Sequence, residues 1–396
     1  MQKTFLPADI LLPKKDMEKW AVIACDQYTS NKEYWKNIEN ETAGAASALN
    51  IILPEIYLED DDDEKITKIN STMDDYLKNG VFCEYKNCYI YLERTLKNGM
   101  VRHGIVGMLD LEDYDYRKGA TSLVRATEAT VLERIPPRVK IRKNASLEIP
   151  HVMLLSDDRE DSVISLVKSF KEQLEKVYDF DLVADSGHAT GYLITGAYAD
   201  KVNEAFEKLT DGDEDKLLFA VGDGNHSLAT AKECYEQDKN ELNRYALCEV
   251  VNIGDESLQF EPIYRVLFDV NPEEFIARFV ADLGGEYYGE GAHKYTCVFG
   301  DTKRDISVKA TSKLAVGTLQ SYLDKFAADV KIDYIHGEDE VISICKAQNT
   351  LGFIFDSMGK DELFDAVKLD GSLPRKTFSM GHADDKRFYI EARKIK

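Results

Sequence analysis

Short apolar runs alternate with amphipathic stretches along the whole chain. Cys88–Leu92 and Leu217–Val221 are continuous apolar runs of strand length, which predicts buried strands. Asn98-Gly99 lies between two apolar runs and suits a tight turn with positive φ, so it predicts a β-hairpin. Apolar residues that recur at helical spacing and stop before Gly80 predict an amphipathic helix: Ile66, Ile69, Met73, Tyr76 and Leu77.

The same patterns predict elements over the rest of the chain. Strands are expected at residues 20–25, 151–155, 190–197, 245–253, 295–299 and 305–309, and helices from near Asn31 and at residues 163–174, 200–209, 272–283, 318–329 and 360–368. Because strands and helices interleave and hairpins also occur, we predict a mixed α/β (α+β) fold with parallel and antiparallel strands and flanking helices. The length predicts two or three domains, or one large α/β unit with insertions. We expect a main α/β domain over residues 1–265, and a C-terminal domain or subdomain over residues 266–396 that packs back on it.

Composition and charge narrow the possible partners. The chain has 396 residues, of which 44% are hydrophobic, so it can bury a full core. Its formal charge of −22 repels phosphate backbones and anionic lipid, which disfavours nucleic-acid and membrane partners. The acidic run Glu59–Glu64 indicates a solvated loop rather than a divalent-metal site. Seven scattered cysteines without a CxxC pair predict reduced thiols, and the N-terminus lacks an apolar signal segment, so we expect a cytoplasmic protein.

The junction Gly222-Asp223-Gly224-Asn225-His226-Ser227 carries the strongest chemical signal. It follows a predicted strand and precedes a run of good helix formers. Glycines let the backbone approach a ligand, and the N–H groups and dipole of a helix N-terminus favour a phosphate. Asn225, His226 and Ser227 add side-chain donors, and Asp223 adds a carboxylate suited to Mg²⁺ or to a proton. The junction therefore predicts a phosphate or nucleotide site.

A plain strand-to-helix turn, with Asp223 or Asn225 as the helix cap, is the alternative interpretation of this junction. A cap needs one short polar residue, whereas the junction places four polar side chains in the five positions 223–227. The junction lacks the lysine of a Walker P-loop and the third glycine of a dinucleotide fingerprint, so it matches neither nucleotide motif.

The junction resembles the Asp-Gly-x-His-Arg signature of the ParB/sulfiredoxin-like superfamily, and the whole chain resembles the bacterial family of domain of unknown function 1015. The resemblance implies a ParB/sulfiredoxin-like element around residues 190–265. It covers most of the length and rests on these segments: Ala24–Tyr28, Asn50–Pro54, Val124–Glu128, Gly222–Ser227, Pro262–Leu267 and Leu373–Thr377.

Relatives in that superfamily bind nucleotides or phosphorylated groups at this loop, and one branch phosphorylates free serine. The resemblance therefore implies an ATP- or ADP-dependent phosphotransferase acting on a small hydroxyl-bearing metabolite such as serine, with Mg²⁺ as a possible cofactor. Asp223 would bind Mg²⁺, His226 would neutralise charge, and Glu128 or Asp26 would remove the hydroxyl proton. The expected phosphate-binding residues are Gly222, Gly224, Asn225, Ser227, Arg125, Arg138 and Lys376.

The sequence departs from the family pattern where Ser227 replaces the arginine of the signature. Arginine pairs strongly with phosphate, so another cation is needed, and Arg125, Arg138 and Lys376 are the candidates. For Glu128 the alternative to a catalytic role is an ion pair with Arg125, three residues earlier on one helix.

Two further hypotheses belong to other functional classes. The first is a non-catalytic, nucleotide-responsive regulatory or scaffolding protein, which a ligand would stabilise without turnover. The second is a ParB-like nucleic-acid protein, which ranks last because of the negative charge.

Overall fold

The computed structural model describes residues 3–23, 28, 32–54, 63–128, 135–149, 151–211, 215–327 and 329–396. Strands and helices alternate through these ranges, which confirms the predicted mixed α/β class. No helix within them is both long enough and apolar enough to cross a bilayer.

The strands of the described ranges follow one another in chain order as β1 (Phe5–Leu6), β2 (Ala8–Pro13), β3 (Phe82–Thr95), β4 (Val101–Asp110), β5 (Tyr114–Asp115), β6 (Val124–Ala126), β7 (Leu147–Glu148), β8 (Met153–Ser156), β9 (Glu175–Asp181), β10 (His188–Ile194), β11 (Phe219–Asp223), β12 (Tyr245–Asn252), β13 (Phe260–Phe268), β14 (Ala292–Phe299), β15 (Thr302–Lys309), β16 (Lys331–His336), β17 (Thr350–Ile354), β18 (Phe378–Met380) and β19 (Arg393–Lys394). The helices are α1 (Met17–Trp20), α2 (Lys32–Thr42), α3 (Asp63–Lys78), α4 (Ile135–Arg142), α5 (Ser162–Phe170), α6 (Gly196–Lys208), α7 (Asn225–Gln237), α8 (Pro272–Asp282), α9 (Ala315–Phe326), α10 (Glu338–Ile344) and α11 (Glu362–Asp370).

The chain forms two compact units. The first unit combines Met1–Leu258 with Gly381–Lys396, and the second unit is Gln259–Met380. The division expected from the sequence fell at residue 265 and gave the whole C-terminus to the second part. In the structure the last residues instead return to the first unit, where β19 pairs with β7. We call Gly381–Lys396 the C-terminal segment.

The first unit is built on a sheet of eleven described strands. Its path is β5-β6-β11-β8-β12-β4-β3-β10-β9, with β1 paired to β4 and β2 paired to β3. The pairs β5–β6, β6–β11 and β8–β12 are parallel, and the neighbouring pair β8–β11 is antiparallel. The sheet is therefore mixed, as the interleaved pattern predicted.

The second unit holds a smaller sheet of six described strands, ordered β15-β14-β17-β13-β16 with β18 beside β13. Its strand pairs are antiparallel, and α8, α9, α10 and α11 lie in the same stretch of chain.

The hairpin predicted at Asn98-Gly99 is confirmed. Strands β3 and β4 pair up to Thr95 and Val101, and Gly99 has φ 82° in the turn between them. This left-handed backbone region costs glycine little, because glycine has no Cβ to collide with the carbonyl oxygen.

The strand predicted at residues 20–25 is wrong over the described residues. Trp20 ends α1, and Val22 makes only an isolated bridge to Tyr389. The described part of the apolar run, Trp20–Ile23, is nevertheless buried, and Ile390 of the C-terminal segment accepts a hydrogen bond from the Trp20 indole at 2.9 Å. The apolar pattern correctly predicted burial. Burial alone does not distinguish a strand from a covered loop, so the predicted strand was wrong.

Candidate functional site

The predicted strand-to-helix junction is confirmed, and it is tighter than a loop. Strand β11 ends at Asp223 and α7 begins at Asn225, so Gly224 alone joins them. Gly224 has φ 82°, and a Cβ at this position would lie 3.0 Å from the Cα of Val152. Both the positive φ and the close approach to β8 require glycine here.

Gly222 has a different position from the one expected. It lies inside β11 rather than in the turn, and the register between β11 and β8 shifts between Val221 and Asp223. Gly222 is therefore the extra residue of a β-bulge, a feature that redirects the side chain that follows it. In this way the bulge sets the direction of Asp223 at the end of the strand.

The Asp223 carboxylate is held by two donors at the start of α7. Its Oδ1 accepts the backbone N–H of Gly224 at 2.8 Å. Its Oδ2 lies 3.5 Å from the Nζ of Lys386, which belongs to the C-terminal segment and is mostly buried. A carboxylate and an ammonium group therefore lie side by side at the helix N-terminus.

Thr127, which follows β6, links β11 to the start of α7 through hydrogen bonds to Val221 and Asn225. The buried Thr127 hydroxyl donates to the Val221 carbonyl at 2.6 Å and accepts from the Asn225 side-chain amide at 3.4 Å. Because the single hydroxyl proton goes to Val221, Asn225 must present its NH₂ group to Thr127. The Oδ1 of Asn225 is buried and finds no hydrogen-bond partner among the described residues.

The first turn of α7 contains His226 and Ser227, and both residues are half-buried. The Leu228 N–H makes the first backbone bond of the helix, 2.9 Å to the Gly224 carbonyl. Glycine in the cap position offers no side chain to the N–H groups of the first turn. The dipole of this 13-residue helix favours negative charge at the same point.

Arg125 binds protein groups at β6. Its guanidinium pairs with Asp215 and donates to the carbonyls of Ser122 at 2.9 Å and of Lys216 at 3.4 Å. The expected helix carrying Arg125 and Glu128 is wrong, because Arg125 lies in strand β6 and Glu128 lies just beyond its end. A role for Arg125 at the phosphate stays a prediction, and its pairing with Asp215 argues against it.

The other expected residues are spread over the chain. Arg138 lies in α4, which packs against α7, so the basic helix is a neighbour of the helix that starts at the junction. Lys376 belongs to the second unit, where its carbonyl accepts from Arg265 at 2.9 Å. Glu128 is half-buried, and Asp26 lies outside the described residues.

The donor set at the junction does not form a resident metal site. Within the described ranges, no group of three or more His, Cys, Asp and Glu residues could hold a metal ion. The neighbour of Asp223 is the ammonium of Lys386 rather than a second carboxylate. Mg²⁺ commonly uses one or two carboxylates together with substrate phosphates, so a role for Asp223 at Mg²⁺ stays a prediction.

Sequence reasoning missed Thr127 as a site residue and missed Lys386 altogether. Thr127 stands between two expected residues, and its hydroxyl gave no signal of its own. Lys386 is far from Asp223 along the chain, and only the return of the C-terminal segment brings the two side chains together.

The fold and the junction define a mixed α/β protein whose main sheet runs through a single glycine into a helix. The chain belongs to the family described as "Protein of unknown function (DUF1015)", whose model matches residues 6–328. The comparison with curated proteins gives no match.

Solved structures share a distant likeness with the chain. A free serine kinase mutant in complex with ADP has a TM-score of 0.41 and 9% identity, covering 73% of this chain and 91% of that chain. A mutant of the free serine kinase in complex with AMP has a TM-score of 0.42 and 10% identity, with the same coverage. C-terminally truncated SbnI from Staphylococcus aureus has a TM-score of 0.41 and 8% identity, covering 72% of this chain and 85% of that chain.

Proposed function

We propose that this protein is a nucleotide-dependent phosphotransferase that acts on a small hydroxyl-bearing metabolite such as serine. The proposal includes a ParB/sulfiredoxin-like element around residues 190–265 and ATP or ADP as the phosphate donor. The observation that carries it is the junction at Gly224, where a carboxylate and an ammonium group meet the N-terminus of α7.

The backbone of the junction is suited to a phosphate. Gly224 keeps the entrance to α7 free of a side chain, and the N–H groups of the first turn point along the helix axis from Asn225, His226 and Ser227. Oriented N–H groups stabilise the charge of a transferring phosphoryl group without reorganising during the reaction. We therefore assign phosphate binding to this turn, with Arg138 on the adjacent α4 as a second cation.

The carboxylates have two proposed roles, a contact to Mg²⁺ and the removal of the hydroxyl proton. Asp223 would contact the Mg²⁺ that accompanies a nucleotide, and the position of its carboxylate at the start of α7 supports this role. His226 lies in the same turn and neutralises developing charge. Removal of the hydroxyl proton is assigned to Glu128 or Asp26, the two expected bases.

The test is phosphate transfer by the purified chain and by the Asp223→Asn variant. We expect ADP or AMP to form from a magnesium nucleotide in the presence of serine or a similar hydroxyl compound. The variant should lower turnover at least about 100-fold, because it removes the charge that faces the metal ion. Asp238→Asn, which changes an exposed carboxylate at the other end of α7, is the matched control and should keep full turnover.

Two results would count against this function. Full turnover in Asp223→Asn would reject the role of that carboxylate. Nucleotides that raise the melting temperature without any turnover, over a panel of hydroxyl compounds, would instead favour a nucleotide-responsive regulatory or scaffolding protein.

A further inference from the structure

The C-terminal segment is anchored to the first unit on both sides of one buried run. The Tyr389 N–H donates to the Val22 carbonyl at 2.9 Å, and the Ala392 N–H donates to the Leu11 carbonyl at 3.0 Å. Phe388, Ile390 and Ala392 are buried in the same core as β2 and β3. The segment lies beyond residues 6–328, the part of the chain that the family model matches.

Two consecutive cations of this segment reach two different carboxylates. Lys386 pairs with Asp223 at 3.5 Å, and the Arg387 Nε lies 2.9 Å from Glu249 Oε2. Arg387 and Glu249 are both completely buried, and Arg387 also pairs with Glu391 at 2.6 Å. A buried ion pair that is broken costs far more than an exposed one, so Arg387 holds this point of the backbone firmly.

The sheet register shows why the two cations diverge. Met153 on β8 is the Cα partner of Asp223 on β11 and also of Glu249 on β12. The two carboxylates therefore stand in one row across three neighbouring strands, with Cα atoms about 10 Å apart because strands lie about 4.8 Å apart. With Arg387 fixed over Glu249, the preceding residue is placed over the end of β11.

We propose that Lys386 is the phosphate-binding cation of the junction and that Arg387 is its positioning residue. This inference rests on the proposed function. The Lys386 ammonium lies beside the N-terminus of α7, where a bound phosphate gains both the helix N–H groups and the ammonium charge. Asp223 then serves the accompanying Mg²⁺, while the C-terminal segment completes the site.

A purely structural ion pair between Lys386 and Asp223 is the competing explanation. Loss of such a pair would change the melting temperature of the chain but leave the affinity for phosphate compounds unaltered. If Lys386 binds phosphate, its loss should instead lower the affinity for phosphate compounds. An arginine at this position should keep much of that affinity, because arginine keeps the charge.

The experiment is calorimetric titration of the full chain with MgADP, MgATP and inorganic phosphate. We expect Lys386→Gln to weaken binding roughly 10- to 100-fold, as expected for the loss of one hydrogen bond to a charged group. Lys386→Arg should stay within about 5-fold of the unmodified chain. Lys394→Gln is the matched control and should bind normally, because this half-exposed lysine of the same segment pairs with Glu84 at 3.0 Å.

Lys386→Gln leaves the Asp223 carboxylate without this lysine, which could itself disturb folding. A second comparison separates that effect from the loss of phosphate binding. In an Asp223→Asn background no carboxylate is left unpaired, and adding Lys386→Gln should still weaken binding of inorganic phosphate about 10-fold or more. Unchanged affinity in both comparisons, in a chain that binds the probes, would overturn the role of Lys386 while leaving the proposed function intact. If the unmodified chain binds none of the three probes, the proposed function and this inference are both rejected.

Discussion

Arg94 and Arg102 lie directly opposite each other on β3 and β4, and both side chains are almost completely buried. Burial, together with the charge of Arg102, lowers the pKa of Arg94 to about 9. Arg94 donates to the carbonyls of Ser186 at 2.7 Å and Asp384 at 2.9 Å, and Arg102 faces Glu249 at 3.6 Å. Like charges opposite each other are unfavourable, so these partners are needed for the two strands to pair.

Glu249→Gln should destabilise the first unit strongly. The substitution keeps the shape of the side chain but leaves Arg102 and Arg387 without their shared carboxylate in a buried position. Removing one partner of a buried ion pair costs about 3–5 kcal/mol, and urea unfolding of the full chain would measure it. Glu84→Gln is the control, because Glu84 bonds to the exposed lysines Lys86 and Lys394, and its loss should cost no more than about 1 kcal/mol. Equal costs for the two variants would contradict this account.

Gly224→Ala should lower the stability of the chain by more than the strain of a positive φ alone would. Gly99 has the same φ of 82° but no atom within 4 Å of the point that an added Cβ would occupy, whereas Gly224 has the Val152 Cα at 3.0 Å. Gly99→Ala should therefore cost about 1–2 kcal/mol, the strain of the left-handed conformation. Gly224→Ala should cost more and should also weaken MgADP binding. If both variants lose the same stability and nucleotide binding is unchanged, the close contact between residue 224 and Val152 on β8 does not require glycine.

His188 should make stability depend on pH near neutrality. Partial burial disfavours its imidazolium form, but hydrogen bonds to Asp181 at 2.7 Å and Asp179 at 2.6 Å outweigh this, and its pKa is raised above 6.5. The folded state thus binds the proton more tightly than the unfolded state. The stabilisation is complete below the unfolded pKa of about 6.5 and is lost as the pH rises through the higher folded value.

An NMR titration of the His188 ring would give the folded pKa directly. The urea midpoint of the unmodified chain should fall as the pH rises through this range, and His188→Gln should remove that component of the fall. A folded pKa at or below about 6.5 would refute the prediction.

Cys83 should be the first of the described cysteines to react with iodoacetamide. It is exposed, whereas Cys88, Cys234, Cys248, Cys297 and Cys345 are buried. Burial raises the pKa of Cys88 from 9.0 to about 12, which lowers its reactive thiolate fraction about a thousandfold. Peptide mass spectrometry of a Cys25→Ser variant, which removes the thiol outside the described residues, would follow the order of labelling. Labelling of Cys88 as fast as Cys83 would contradict the burial of the Cys88 thiol.

Local patterns predicted most of the elements that shape the junction. The apolar run Leu217–Val221, followed by glycine and good helix formers, predicted β11 and α7, and Asn98-Gly99 predicted the hairpin of β3 and β4. These predictions succeeded because side-chain periodicity and turn chemistry act over a few residues. The strand expected at Trp20 is wrong because its apolar residues are buried under the C-terminal segment, which is distant in the chain, without pairing in the sheet.

What the amino-acid sequence determined by itself is therefore the mixed α/β class and a glycine-started helix that favours an anion. The tertiary structure alone decided the partners of the charged residues: Lys386 reaches Asp223 at the junction, whereas Arg125 pairs with Asp215. The physical reason is that a charged side chain carries no periodic signal, and its partner depends on sheet register and on the path of the C-terminal segment.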